Sequence, residues 1–409
     1  PYMSLPIQAM TNTLKIMTQS PQNSDMALGF CITIGLFSIL FGARHISLRE
    51  KHHGLVVAIA FESLVKLVTL LIVGLFAIFG IFGGFSELNH YLELNPEANA
   101  ALFKPVKEGP WATLMMLSFA AAFLLPRQFH MIFVENIDPK AINTASWAFP
   151  LFLLLLNISI LPILWAGESL NLSIPADLYV LGITLKSGSS ILPLLTFLGG
   201  LSAASAMIIV TTLALASMCM NHLVLPASFP LRLSSGPNMY HWLLWGRRLV
   251  IVLIIAAGYS FYLVKQYNQG LVGLGLISFV AVAQCLPGIV GLLYWQRASK
   301  AGFIAGLLVG GSIWGIALLL PLFERAGIIA LPFLSTQILA ISTTDSALWS
   351  LAFNSLAFVL FSLTMPQSDE EREVSNACFR KGFLVPQGKI RATSISEFEH
   401  QLTKIIGTD

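Results

Sequence analysis

The chain alternates between long apolar runs and short polar connections. Runs at 26–43, 54–81, 112–134, 147–166, 191–221, 242–264, 271–296, 302–320 and 346–365 carry almost no charge. A helix needs about 20 apolar residues to cross the hydrocarbon core of a bilayer. Backbone polar groups in hydrocarbon find partners only inside the chain, so each run is read as a helix. The pattern predicts an all-α polytopic membrane protein with nine full spans. Residues 1–19 add the end of a further helix whose beginning is absent, which is the pattern of a fragment.

Prolines punctuate this pattern. Pro126 stands inside the run 112–134, where a missing N–H removes one helical hydrogen bond and predicts a break or sharp kink between Leu124 and Gln128. Pro226, Pro230 and Pro237 predict that no continuous helix runs through 222–241. Two polar connections, 84–110 and 168–190, are longer than the rest. The second contains ADLYVLGITL, an amphipathic stretch expected along the membrane interface.

The connections differ in charge. Arg44, Arg49, Lys51, Arg127, Lys140, Arg232, Arg247, Arg248, Arg297 and Lys300 fall on one side of the alternation. The other side holds only Lys104, Lys107, Lys186, Lys265 and Arg325. The positive-inside rule places the first set in the cytoplasm. The polar tail from Pro366 then follows it there. Residues 1–365 therefore form a transmembrane domain. Residues 366–409 form a linker with a charged cluster, QSDEEREVSN, and a capped amphipathic helix at 393–406 that begins a new module.

Composition narrows the function classes. Charged residues make up 11% of the chain, against roughly 25% in soluble domains. A net charge of +3 gives no support for nucleic-acid binding. Cys31, Cys219, Cys285 and Cys378 have no metal or redox spacing, and His45, His52 and His53 read as solvated loop residues rather than a metal site. Phosphate-loop, zincin and triad motifs are absent, so no catalytic site is expected within these residues.

Four segments carry a family resemblance: FGARHISLREKHHGLVVAIAFESLVKL at 41–67, LLPRQFHMIFVENIDPKAINTASWAFPLFLLLLN at 124–157, FLGGLSAASAMIIVTTLALASMCMNHLVLP at 197–226, and AQCLPGIVGLLYWQRASKAGFIAGLLVGG at 283–311. Together they resemble the sodium:solute symporter family. The narrower likeness is to the N-terminal transporter domain of symporter-linked sensor histidine kinases. The resemblance implies two five-helix repeats of inverted topology, with solute bound at mid-membrane where two helices are broken. It makes 26–43 the fourth core helix and 112–134 the sixth, so the first two core helices are missing.

The resemblance also directs attention to particular residues. The broken sixth core helix is expected to place Phe123, Leu124, Pro126 and Gln128 at the solute. Its sodium site draws two hydroxyls from the span 191–221, which fall at Ser205 and Ala206. Ser202, Ser205 and Ala206 share a helical face by their spacing. Ala206 lacks the hydroxyl, which weakens the case for Na⁺, and the same small residues also suit close helix packing. Glu62 and Lys66, four residues apart inside an apolar span, are the most unusual charges. Ionisable groups at that depth are costly and commonly functional. They are read either as a proton-coupling pair or as a structural tie. Arg127 is read as reaching toward the inner interface, His130 and Glu135 as an inner gate, and Gly306 with Gly310 as a helix-packing seam.

Three functional expectations follow. The first is ion-coupled transport of a small organic solute, an amino acid by the resemblance, using Na⁺ or H⁺. The second is a sensor that binds solute without moving it and passes the change to C-terminal kinase modules. The third is a stand-alone symporter. Enzymatic activity, if any, belongs to a histidine kinase beyond Asp409.

Overall fold

The computed structural model describes residues 1–18, 24–42, 53–98, 108–136, 138, 140–228, 239–265, 271–325, 327, 342–365, 367–369, 371, 372 and 375. Among these residues there are helices and no strands. Eight helices are long and apolar enough to cross a membrane, and a ninth span is formed by a bent pair. This is a multi-pass membrane protein, and the nine spans match the nine apolar runs. The helix expected at 393–406, Cys378, His45, His52, Pro230 and Pro237 lie outside the described residues.

The elements follow in chain order. Helices α1 (Ser4–Thr18), α2 (Ser24–Gly42) and α3 (His53–Leu75) come first, and α3 is prolonged by a π-helical turn, Phe76–Ile81. Gly83 and Gly84, at φ 85° and 138°, turn the chain into α4 (Phe85–Leu94), a conformation open to residues without a Cβ. Then come α5 (Glu108–Leu124), α6 (Pro126–Phe129) with a π-helical turn His130–Val134, α7 (Lys140–Ile158) and α8 (Ile160–Ser169). A 3₁₀ turn, Ala176–Leu178, leads into α9 (Tyr179–Leu185). Helix α10 (Ile191–Cys219) passes through a π-helical turn, Met220–Val224, into α11 (Leu225–Ser228). Helices α12 (Met239–Lys265), α13 (Leu271–Ala283), α14 (Leu286–Tyr294), α15 (Lys300–Trp314), α16 (Leu320–Arg325) and α17 (Thr343–Thr364) complete the bundle.

One span is longer than the sequence reading gives it. The run 147–166 is the apolar part of a helical stretch that covers Lys140–Ser169. Asp138 accepts a hydrogen bond from the Lys140 N–H at 2.9 Å and starts it early, so the polar Asn143, Thr144 and Ser146 are helical too. The helix continues past Pro226 to Ser228, and residues 229–238 of that connection lie outside the described residues. The amphipathic stretch at 176–185 is helical and buries Leu178, Leu181 and Ile183.

Helix α10 is the spine. Of its most apolar window 61% is buried, against 17–39% for the other full spans. Side chains from α1, α2, α10 and α12 make one apolar cluster around Ile7, Ile208 and Ile251. A second cluster joins α5, α13 and α17 around Leu117, Val280 and Leu351. A third joins α3, α8 and α9 around Val73, Ala166 and Ile183. The outward faces remain apolar, with Leu36, Phe41, Phe61 and Leu308 more than half exposed, as a lipid-facing surface requires.

Candidate functional site

The span α5–α6 breaks where Pro126 predicts. Leu125 adopts extended backbone angles, φ −56° and ψ 133°, between the two helices, and their axes differ by 46°. Pro126 then starts α6, and the Phe129 N–H donates to the Leu125 carbonyl at 2.9 Å. The last carbonyls of α5 have no continuing helix to donate to them.

The break divides the residues expected at the solute. Leu124 is buried in the second apolar cluster, and Phe123 packs against it with its ring 5.2 Å from that of Phe119. Gln128 lies on the other side, where it lines a cavity of about 630 Å³ with Glu135, Ser146 and Phe149. Pro126 is half-buried between them. These four residues are neighbours in sequence but face different surroundings.

Beside the break lies a cluster of three charges. Glu62 and Lys66 occupy successive turns of α3, with Lys66 Nζ 3.9 Å from Glu62 Oε1. That distance is too long for a hydrogen bond. Lys66 makes none to any described residue, and the buried Glu62 Oε1 has no partner either. Arg127, at the start of α6, acts electrostatically on both. The cluster carries one negative and two positive groups.

The expected ion-site residues sit on α10, which packs along α3. Ser205 Oγ donates to the Ser202 carbonyl at 3.0 Å, so that hydroxyl is engaged within its own helix. Ala206 is buried. The wall of the adjoining cavity, about 230 Å³, is built instead from Gly199, Gly200 and Ala203, opposite Lys66 and Thr69. Ser202 and Ser205 do not line it. His130 and Glu135 do meet, with His130 Nε2 3.2 Å from Glu135 Oε1. No group of three or more His, Cys, Asp or Glu side chains suited to a metal ion occurs among the described residues.

Sequence reasoning missed a second polar centre. Gln284, 2% exposed, stands in the break between α13 and α14. Asn354 Nδ2 on α17 donates to both the Gln284 carbonyl and Gln284 Oε1, at 2.8 and 2.9 Å. Gln284 Nε2 donates to Ser350 Oγ at 3.0 Å and to the Val280 carbonyl at 3.1 Å. An amide in the middle of each of two apolar runs was the available sign. The predicted Gly306–Gly310 seam is present alongside, since a Cβ at Gly306 would lie 2.6 Å from Asn354 Oδ1.

No family model matches the chain, and no match was found among the curated proteins.

Proposed function

We propose that residues 1–365 form a solute-handling membrane domain of the sodium:solute symporter type, built as an inverted five-helix repeat without its first two core helices, that binds and transports a small organic solute. The observation that carries this reading is a span broken at Leu125 beside the Glu62–Lys66–Arg127 cluster. A broken span frees backbone polar groups at membrane depth, and such breaks line cavities in transporters. Ionisable groups within a membrane domain are costly and commonly mark solute or ion pathways.

The coupling ion is H⁺ rather than Na⁺ in this reading. Ala206 offers no hydroxyl oxygen, so a dehydrated Na⁺ there would be one ligand short, whereas Glu62 and Lys66 can exchange a proton. Isotope uptake into proteoliposomes, with Na⁺ and pH varied separately, tests this. Glu62→Gln should flatten the pH dependence, and Ser205→Ala should change little. Strong Na⁺ dependence, abolished by Ser205→Ala and strengthened by Ala206→Ser, would restore the sodium site.

A second reading is that the domain senses solute for C-terminal kinase modules without net transport. One contact favours it. The Gln367 side chain, just past the last span, donates to the Gln296 and Ala298 carbonyls at 2.9 and 2.7 Å. The start of the tail is thereby tied to the turn between α14 and α15. Solute binding without any uptake would favour this second account.

A further inference from the structure

Helix α12 has two faces and a cation at their margin. Leu244, Ile251 and Ile255 are buried against the rest of the bundle. Trp245, Leu249 and Val252, at i, i+4 and i+7, form an exposed stripe, with Trp245 64% exposed. Arg248 stands between the two faces and is half-buried. Its guanidinium lies over the Trp245 ring, 5.2 Å from the centroid, which is within cation–π range. Trp245 is one turn nearer the N-terminus of α12. The side chain therefore carries its charge back toward the end of the span that begins at His241, as a long cationic side chain does at a membrane interface. Because the ring is exposed, the cation comes with it to the outer surface of the bundle.

Among the described residues Arg248 makes no ion pair and no hydrogen bond. Its Nε is covered, so the donors open to a ligand are the two terminal nitrogens. The Trp245 indole N–H also has no partner among the described residues. Arg247, the preceding residue, has an interaction of its own and is not needed here. Helix α12 contains no Asp or Glu. Neither does the π-helical turn Met220–Val224, whose Met220 packs against α12 at Gly246. Beyond the cation the exposed stripe continues through Leu249, Val252 and Ala256. The patch is a charged fork of N–H donors at the head of an apolar stripe, and its complement is an anion at the head of a hydrocarbon chain.

We propose that Arg248 and Trp245 bind the headgroup of an anionic phospholipid, with phosphate oxygens accepting from the Arg248 terminal nitrogens and the Trp245 indole while an acyl chain lies along Leu249, Val252 and Ala256. A guanidinium matches a phosphate with paired, charge-assisted hydrogen bonds. A zwitterionic headgroup brings its own cation, and α12 has no carboxylate to receive it. A free anion leaves the apolar stripe unused. The site does not depend on whether the domain transports or senses a solute. The alternative is an interfacial anchor that fixes the height of α12 in the bilayer and accepts any lipid.

The test uses the full chain in nanodiscs of equal parts phosphatidylcholine and phosphatidylglycerol, with native mass spectrometry counting the lipids that stay bound on release. Phosphatidylglycerol should be retained over phosphatidylcholine. Arg248→Gln should weaken that retention about 5-fold, the effect of one cation at a lipid surface. Arg248→Lys should recover part of it, since the charge returns without the fork. Trp245→Phe keeps the ring, removes the indole donor and should cost about 3-fold. If Arg248→Gln fails to fold, the last two variants carry the comparison. Arg297→Gln, at an exposed cation in the turn between α14 and α15, should leave retention as in the parent. Equal retention of the two lipids overturns the site and leaves the anchor. So does retention indifferent to both Arg248→Gln and Trp245→Phe. An equal loss from Arg297→Gln overturns it in favour of general surface charge. Displacement of the bound lipid by inorganic phosphate overturns it in favour of a free anion.

Discussion

Two helix interfaces in this bundle are built from similar parts and differ in what their polar atoms do. At the α15–α17 interface, Gly302, Gly306 and Gly310 let α17 approach until a Cβ at any of them would collide with it. Gln284 hydrogen-bonds to both Ser350 and Asn354, and Ser299 caps α15 through the Gly302 N–H at 3.1 Å while meeting Ser362. At the α3–α10 interface a glycine again sets the distance, with a Cβ at Gly199 falling 2.8 Å from Thr69. There Thr69, Glu62 Oε1 and Lys66 have no hydrogen-bond partners among the described residues. Both cost conformational freedom to assemble, but only the first recovers that cost in hydrogen bonds. The first interface is a scaffold, and the second has polar groups in reserve.

The largest effect should come from overfilling the scaffold. Gly306→Val places a branched side chain against the Asn354 backbone carbonyl, 2.9 Å from a Cβ. It should destabilise by about 3 kcal/mol or prevent a monodisperse product, read by thermal melting and size-exclusion chromatography. A variant that melts with the parent would mean that the helices are not this close.

Next comes the amide pair. Asn354→Leu leaves the Gln284 carbonyl and Oε1 without their donor and should cost about 1–3 kcal/mol. Adding Gln284→Leu should recover part of the loss, because one of the two abandoned acceptors goes with it. A double variant worse than the sum of the singles would point to a packing role and not a hydrogen-bonding one.

The reserve interface should respond the other way. Removing both charges in Glu62→Gln with Lys66→Met should leave melting unchanged or raise stability by about 1 kcal/mol, since a poorly paired charge is costly in a membrane interior. A large destabilisation would make the pair a structural tie. The smallest effect belongs to Thr69→Val, which keeps the shape and removes a hydroxyl with no partner. Stability should stay within about 0.5 kcal/mol of the parent. A loss above 1 kcal/mol would erase the contrast between the two interfaces.

Much of the fold is legible in the sequence because hydrocarbon permits few solutions. Apolar runs of sufficient length become helices, and Pro126 breaks one of them for a local reason. The site is less legible because it depends on which faces meet. Gln128 is five residues from Phe123 along the chain, yet it lines the cavity beside Glu135 and Ser146 while Phe123 packs against α13. Lys66 draws attention by its charge. Thr69 does not, since a threonine in a span usually bonds to its own helix, as Thr211 does to the Met207 carbonyl at 2.6 Å. Only the packing of α3 on α10 reveals that Thr69 differs. Ser202 and Ser205 show the reverse, being conspicuous by spacing but placed off the cavity wall.

The anchorage of Gln367 has a mechanical consequence. Ser375, 4% exposed, lies 3.4 Å from the same Gln296 carbonyl, so the departing polypeptide is riveted to the α14–α15 turn at two points. That turn joins α14, which follows Gln284, to α15, which the glycine seam packs against α17. In the sensing reading proposed above, a shift of α14 would reach the tail as a displacement of its mount. Nothing downstream would then have to touch the ligand to register its arrival. A spectroscopic label beyond Ser375 would act as the pointer of a gauge whose fulcrum lies inside the membrane.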